Sequence, residues 1–101
     1  MNRAEIDIYA AQMEIEKIRL RARLRLDHAA PAGVREETDA AIKGVDKLLK
    51  HPGLEVLKQG LDNFDRLPPD QRSEITQLYT LWIANAQDTL KTFQMLSEAV
   101  G

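Results

Sequence analysis

The clearest pattern of apolar positions lies near the end of the chain. Side chains that fit one apolar face recur there at alternating spacings of four and three residues, at Ile75, Tyr79, Trp82, Ala86, Thr89, Phe93, Leu96 and Val100. This alternation keeps one side of an α-helix apolar, as in a heptad seam. It predicts one long helix over about 69–99, with Pro69 in the first turn, where proline is tolerated.

Two shorter apolar stripes precede this helix. One comprises Val34, Thr38, Ala41, Ile42, Val45, Leu48 and Leu49, and the other comprises Leu54, Leu57, Leu61 and Phe64. Each stripe predicts a helix with one apolar face, over about 33–50 and 52–66. Pro52 is tolerated at a first helical position but not in a straight helix interior, so we expect a break at 51–53 rather than one kinked helix.

The first segment, about 2–28, is apolar on two opposite sides. At about 100° per residue, one side carries Ile6, Tyr9, Met13, Leu20 and Leu24, and the other carries Ile8, Ile15, Ile18, Ala22 and Leu26. The alternation of apolar and basic residues over 18–26 is also typical of a half-buried strand. We expect a helix because the upstream residues are good helix formers and the chain offers no evident strand to pair with.

Length and composition indicate a single domain over 1–101. The chain is 44% hydrophobic and 30% charged and has no Cys, which excludes disulfide scaffolds and zinc–cysteine sites. No apolar run approaches the roughly 18 residues of a membrane span, and the start MNRAEID carries acids where a signal peptide would become apolar. We therefore expect no membrane span and a cytoplasmic location.

Together these segments predict an all-α fold, a small antiparallel bundle of two long helices and two short ones. Such elongated helices expose much surface for their volume, and the second stripe of the first helix has no evident partner within the chain. We expect homodimerisation to complete the bundle, since identical stripes can meet across a twofold axis. The candidate protein-binding or dimer-interface residues are Ile8, Ile15, Ile18, Ala22, Leu26, Tyr79, Trp82 and Phe93. The last three fit a core equally well.

Basic residues cluster in the first segment, at Lys17, Arg19, Arg21, Arg23 and Arg25. The four arginines are candidate contacts for an anion or an acidic partner, because the guanidinium group offers oxyanions a planar pair of donors. The alternative is a solvated face paired with acids on neighbouring helices. The net charge of −2 disfavours a nucleic-acid binder, although docking of 17–25 to nucleic acid or an anionic surface stays open.

Catalytic and metal-binding motifs are not evident. His28 and His51 lie at predicted helix ends, where imidazoles commonly bond free carbonyls. The pairs Asp62 with Asp65 and Glu36 with Asp39 are explained by charged helix faces. We predict no catalytic residues, no metal and no cofactor.

A small dimeric helical bundle with buried arginines resembles the helical chorismate mutases in architecture. That family has an isoleucine- and aspartate-rich first helix with spaced basic ligands, to which Ile6, Asp7 and the arginines of 19–25 correspond loosely. The resemblance implies, as the alternative function, a small helical-bundle enzyme with a closed polar pocket lined by Arg19, Arg23 or Arg25.

The function that these patterns favour is that of a non-enzymatic interaction protein. Small bacterial-type antiactivators, adaptor subunits and secretion chaperones work in this way, by presenting a helical surface to another protein. We therefore expect a second copy and another protein as its partners.

Overall fold

The structure of the protein is a computed structural model that describes residues 1–26 and 30–100. Within these ranges the elements are α1 (Arg3–Leu26), α2 (Ala32–Lys50), α3 (Pro52–Asp62), one turn of 3-10 helix (Phe64–Arg66) and α4 (Pro69–Val100). The all-α class is confirmed, and α1 continues as a helix through 18–26, where alternation also suggested a strand. No helix in the described part of the chain is long and apolar enough to cross a membrane.

The helical conformation is interrupted between α2 and α3 at His51. The backbone of His51 is extended, with φ −65° and ψ 131°, and Pro52 is the first residue of α3. His51 Nδ1 accepts a hydrogen bond from the backbone N–H of Gly53 at 2.9 Å. Our expectation that this imidazole bonds carbonyls at the end of α2 is therefore wrong. Pro52 has no N–H, so the Gly53 N–H is the first free donor of α3, and the imidazole caps it. His28 lies outside the described residues.

The third helix is shorter than its apolar pattern suggested. It ends at Asp62, and the side-chain amide of Asn63 donates a hydrogen bond to the Gln59 carbonyl at 2.9 Å. The 3-10 turn Phe64–Arg66 follows. Asn63 favours this early end because its short amide competes with the backbone for hydrogen bonds.

The two long helices, α1 and α4, run side by side in the same direction. Near the start of α1, Glu5 accepts a hydrogen bond from the Tyr79 hydroxyl. Near its end, Arg23 donates one to the Ser97 hydroxyl. The contacts therefore follow the same order along both helices.

The short helices α2 and α3 run in the opposite direction to α1. Lys17, past the middle of α1, pairs with Asp46 near the end of α2. Arg3, at the start of α1, pairs with Asp62 at the end of α3. The described molecule is a rod with extents of 55 × 19 × 19 Å.

One continuous apolar core joins all four helices. Its buried side chains are Ile6, Met13, Leu20, Ile42, Val45, Leu54, Leu57, Ile75, Tyr79, Trp82, Ala86, Phe93 and Leu96. The core therefore takes up the first of the two stripes of α1 and the seam of α4 from Ile75 to Leu96, apart from the half-buried Thr89. The second stripe of α1 is not part of it.

Candidate functional site

The side of α1 that faces away from the core is apolar and exposed. We call it the outer face of α1, and it consists of Ala4, Ile8, Ala11, Ile15, Ile18, Ala22 and Leu26, all exposed. The exposed fractions are 56% for Ile8, 54% for Ile15, 61% for Ile18 and 83% for Leu26. Contiguous exposed apolar surface of this kind marks interaction sites in soluble proteins.

The outer face has the spacing of a coiled-coil seam. From Ala4 to Ala22 its residues follow one another at intervals of four, three, four, three and four. Sequence reasoning identified five of these residues but missed Ala4 and Ala11. The alternation of spacings was the signal that would have found them, since it selects positions by period rather than by side-chain size. The run from Ala4 to Ala22 is about 27 Å long at 1.5 Å per residue.

Charged residues border the outer face unevenly. Its first half is flanked by three acids, Glu5, Asp7 and Glu14, and its second half by Arg19 and Arg21. The outer face therefore has an acidic end and a basic end.

The four arginines of 19–25 lie in different surroundings. Arg23 is half-buried and bonds Ser97, whereas Arg19 is exposed and pairs with Glu16 at 3.0 Å. Arg21 and Arg25 are exposed as well. The described residues bring no three of these arginines into one enclosed pocket.

A shallow groove between α1 and α4 lies next to Arg19. Its lining also includes Glu16 and Glu98, together with the polar side chains Gln12, Gln94 and Ser97. The acids offset the charge of the single arginine. The groove therefore lacks the excess of cationic donors that would hold a multiply charged anion.

Lys17, the first of the basic run, belongs to an intrachain ion pair. Its Nζ lies 2.8 Å from Asp46 Oδ1 and 3.1 Å from Glu14 Oε2, and its side chain is largely covered. The hydrogen bond from Lys17 lowers the pKa of the Asp46 carboxyl, and the same bond raises the pKa of Lys17. Lys17 thus joins α1 to α2.

The three aromatic residues proposed for an interface are buried within the fold. Tyr79, Trp82 and Phe93 are buried in the core, so they are not part of an exposed surface. Trp82 Nε1 is buried, and no described residue accepts a hydrogen bond from it. Of the two roles left open for these residues, the structure supports the core.

A second apolar surface lies beside Trp82. A cavity of about 230 Å³ opens there between α4 and the junction of α2 with α3. Leu78 and Leu81 of α4 form its exposed edge, and no residue of α1 lines it. Sequence reasoning did not single out Leu81, which lies outside the seam of α4.

Carboxylates and histidines do not form a metal centre in the part of the chain that the structure describes, where no group of three or more such residues is placed to hold an ion. Asp62 forms an ion pair with Arg3, and Asp65, Glu36 and Asp39 are exposed.

Comparison with known proteins adds no relative to this description. No protein-family model matches the chain, and neither the curated proteins nor the solved structures contain a match to it.

Proposed function

We propose that this chain is a non-enzymatic interaction protein that assembles as a homodimer and binds another protein through a helical surface, as an antiactivator, adaptor or chaperone does. The observation that carries the proposal is the exposed outer face of α1. In this assembly a second copy covers the outer face and completes an antiparallel bundle.

The free energy of association comes from burying this face. Complete burial of one Ile or Leu side chain contributes about 1.5–3 kcal/mol. Ile8, Ile15 and Ile18 are each more than half exposed, so covering them contributes roughly 1 kcal/mol each per copy. Both copies contribute in a symmetric dimer, which doubles the gain against a single cost of association.

The seam spacing supports a helix as the covering element. Side chains at alternating intervals of four and three fit between those of a second helix that has the same period. The outer face of a second copy has the same period because its sequence is the same.

The surface at Leu78 and Leu81 supports binding of another protein by the dimer. It lies on the side of α4 that meets α2 and α3, and α1 does not line it. Dimerisation through α1 therefore leaves it accessible. Exposed leucines at the edge of an apolar cavity suit the apolar face of a partner helix.

The test is the solution mass, measured by light scattering over a concentration series. We expect a mass twice the 11.4 kDa of one chain. Ile15→Glu should shift the protein to the monomer, because it places a charge in the middle of the seam. The matched control is Val56→Glu, since Val56 is exposed to 56% on α3 and lies outside the outer face. A wild-type monomer at every concentration, or equal masses for the two variants, would contradict the proposal.

A further inference from the structure

We infer that the two copies lie antiparallel on the outer face of α1, with Ile8 of each copy against Ile18 of the other. This inference rests on the proposed function and names the partner and its orientation. The same register places Ile15 against Ala11 of the second copy and Ala4 against Ala22. Each copy thus supplies both members of every pair, as a twofold axis requires.

Arg25 supports the antiparallel orientation. When the spacing of the seam is continued past Ala22, the next position is Arg25, one residue before the exposed Leu26. A parallel, in-register pair would place the two Arg25 guanidinium groups opposite one another in the seam. The antiparallel register places the two Arg25 side chains at opposite ends of the interface instead, so that they do not oppose each other.

The flanking charges support the same orientation. In an antiparallel pair, residues that border the seam on one side meet residues on the same side of the other helix. Glu5 then faces Arg19 of the second copy, and Asp7 faces Arg21. Twofold symmetry generates each of these pairs twice, so four pairs of opposite charge border the seam.

The middle of the interface is compatible with this pairing. Gln12 of one copy faces Gln12 of the other across the twofold axis, and this side chain carries no charge. The two Glu14 side chains also approach each other, and Lys17 Nζ, which lies 3.1 Å from the Glu14 carboxylate and also pairs with Asp46, reduces the repulsion between them.

A second copy suits this face better than an anionic membrane does. Basic residues border only the half that contains Arg19 and Arg21, while Glu5, Asp7 and Glu14 border the other half. An anionic surface would attract one half and repel the other. A copy in reverse orientation matches both halves at once.

Cysteine cross-linking tests the orientation, because the chain contains no Cys of its own. Ala4→Cys and Ala22→Cys are made separately, and each variant is oxidised alone and after mixing and subunit exchange. In the antiparallel register, equivalent positions of the two copies are about 27 Å apart, far beyond disulfide reach, whereas position 4 of one copy meets position 22 of the other. We expect a covalent dimer only in the mixture. The control is a mixture of Ala4→Cys with Ala99→Cys, whose cysteine lies on α4 outside the outer face. This mixture should give no covalent dimer.

The possible outcomes separate the inference from the proposed function. Covalent dimers from each variant alone would indicate a parallel pair and overturn the inference while the dimer stands. A dimeric mass without any cross-link would overturn both the register and the orientation. A monomeric mass would overturn the proposed function itself.

Charge exchange provides a second measurement. Asp7→Arg alone and Arg21→Asp alone should each weaken dimerisation about 3- to 10-fold at low salt, since each creates two like-charge contacts across the interface. Within its own chain, Asp7 also pairs with Arg3 at 3.9 Å and with Lys58 at 3.7 Å, so the stability of each variant is measured beside its affinity. The two substitutions in one chain restore opposite charges in the antiparallel pair, so affinity should return to within about 2-fold of the wild type. Additive losses in the double variant would overturn the inference.

Discussion

Gly60 of α3 lies directly against Ile75 of α4. A methyl group on Gly60 would overlap Ile75 Cδ1 and lie 2.7 Å from Ile75 Cγ1, closer than two carbon atoms approach without strain. The missing side chain at Gly60 therefore allows the two helices to come together near the start of α4. This contact closes the end of the core that contains Ile6 and Leu57.

Gly60→Ala should destabilise the fold, although alanine is the better helix former. We expect a loss of about 1–3 kcal/mol in the free energy of unfolding, because the added methyl group forces α3 and Ile75 apart. The matched control is Gly44→Ala, since a methyl group at Gly44 has nothing within 4 Å. The control should gain up to about 1 kcal/mol. Urea denaturation measures both changes, and equal values for the two variants would show that the contact does not limit packing.

Trp82 provides a test of the core of α4. Trp82→Ala should cost about 3–5 kcal/mol, since it leaves a large cavity. Trp82→Phe should cost much less, because it retains most of the apolar volume and removes the buried Nε1–H that lacks an acceptor among the described residues. Chemical denaturation followed by circular dichroism compares them. A loss below about 1 kcal/mol for Trp82→Ala would mean that this side chain is not part of the core.

The pair of Lys17 and Asp46 predicts a pH dependence of stability. The bond from Lys17 holds the pKa of Asp46 below its ordinary 3.8, and the bond to Asp46 holds the pKa of Lys17 above its ordinary 10.5. At low pH the unfolded chain binds a proton at Asp46 more readily than the folded chain does. At high pH the unfolded chain releases the Lys17 proton more readily. The contribution of the pair is therefore present between these two values, and it falls away below 3.8 and above 10.5.

Asp46→Asn isolates this contribution from that of other titrating groups. The difference in free energy of unfolding between the wild type and Asp46→Asn should be constant at intermediate pH and shrink at both extremes. Denaturation curves at several pH values measure it. A difference that stays the same down to pH about 2 would show that the charge of Asp46 plays no part.

The cap at His51 gives a local prediction. His51→Ala should cost about 0.5–2 kcal/mol, because the N–H of Gly53 loses its acceptor. His51→Asn keeps an acceptor at the same position and should recover most of that loss. Thermal unfolding of the wild type and the two variants measures these differences in stability. Equal melting temperatures would mean that the side-chain bond does not stabilise the start of α3.

The sequence predicted the helices well because their signals are local. Pro52 and Pro69 act within one turn of the backbone, and the apolar period of α4 repeats along its whole length. The end of α3 was harder to predict, because the apolar stripe continues to Phe64, whereas the helix ends two residues earlier, at Asp62, with Asn63 as its cap. The role of His51 was missed for a similar reason, since it depends on which neighbouring helix end has the free donor.

The outer face of α1 was predictable in part. Two opposite stripes on one helix predicted that one stripe would lack a partner within the chain. We expected the second stripe to be the free one, and its large side chains are exposed in the structure. The apolar pattern gives no physical reason for this choice, which depends on the packing of α1 against α4. Packing also decided that Tyr79, Trp82 and Phe93 belong to the core, since apolar periodicity is the same for a core and for an interface.

The position of Trp82 makes its fluorescence a probe of folding that is separate from any measure of association. It is the only tryptophan of the chain, and it lies in the core, whereas the outer face of α1 contains no aromatic side chain. Its fluorescence therefore reports the folding of the chain but is insensitive to contacts made by the outer face. Folding and assembly can thus be followed independently in one sample, the first by emission and the second by mass.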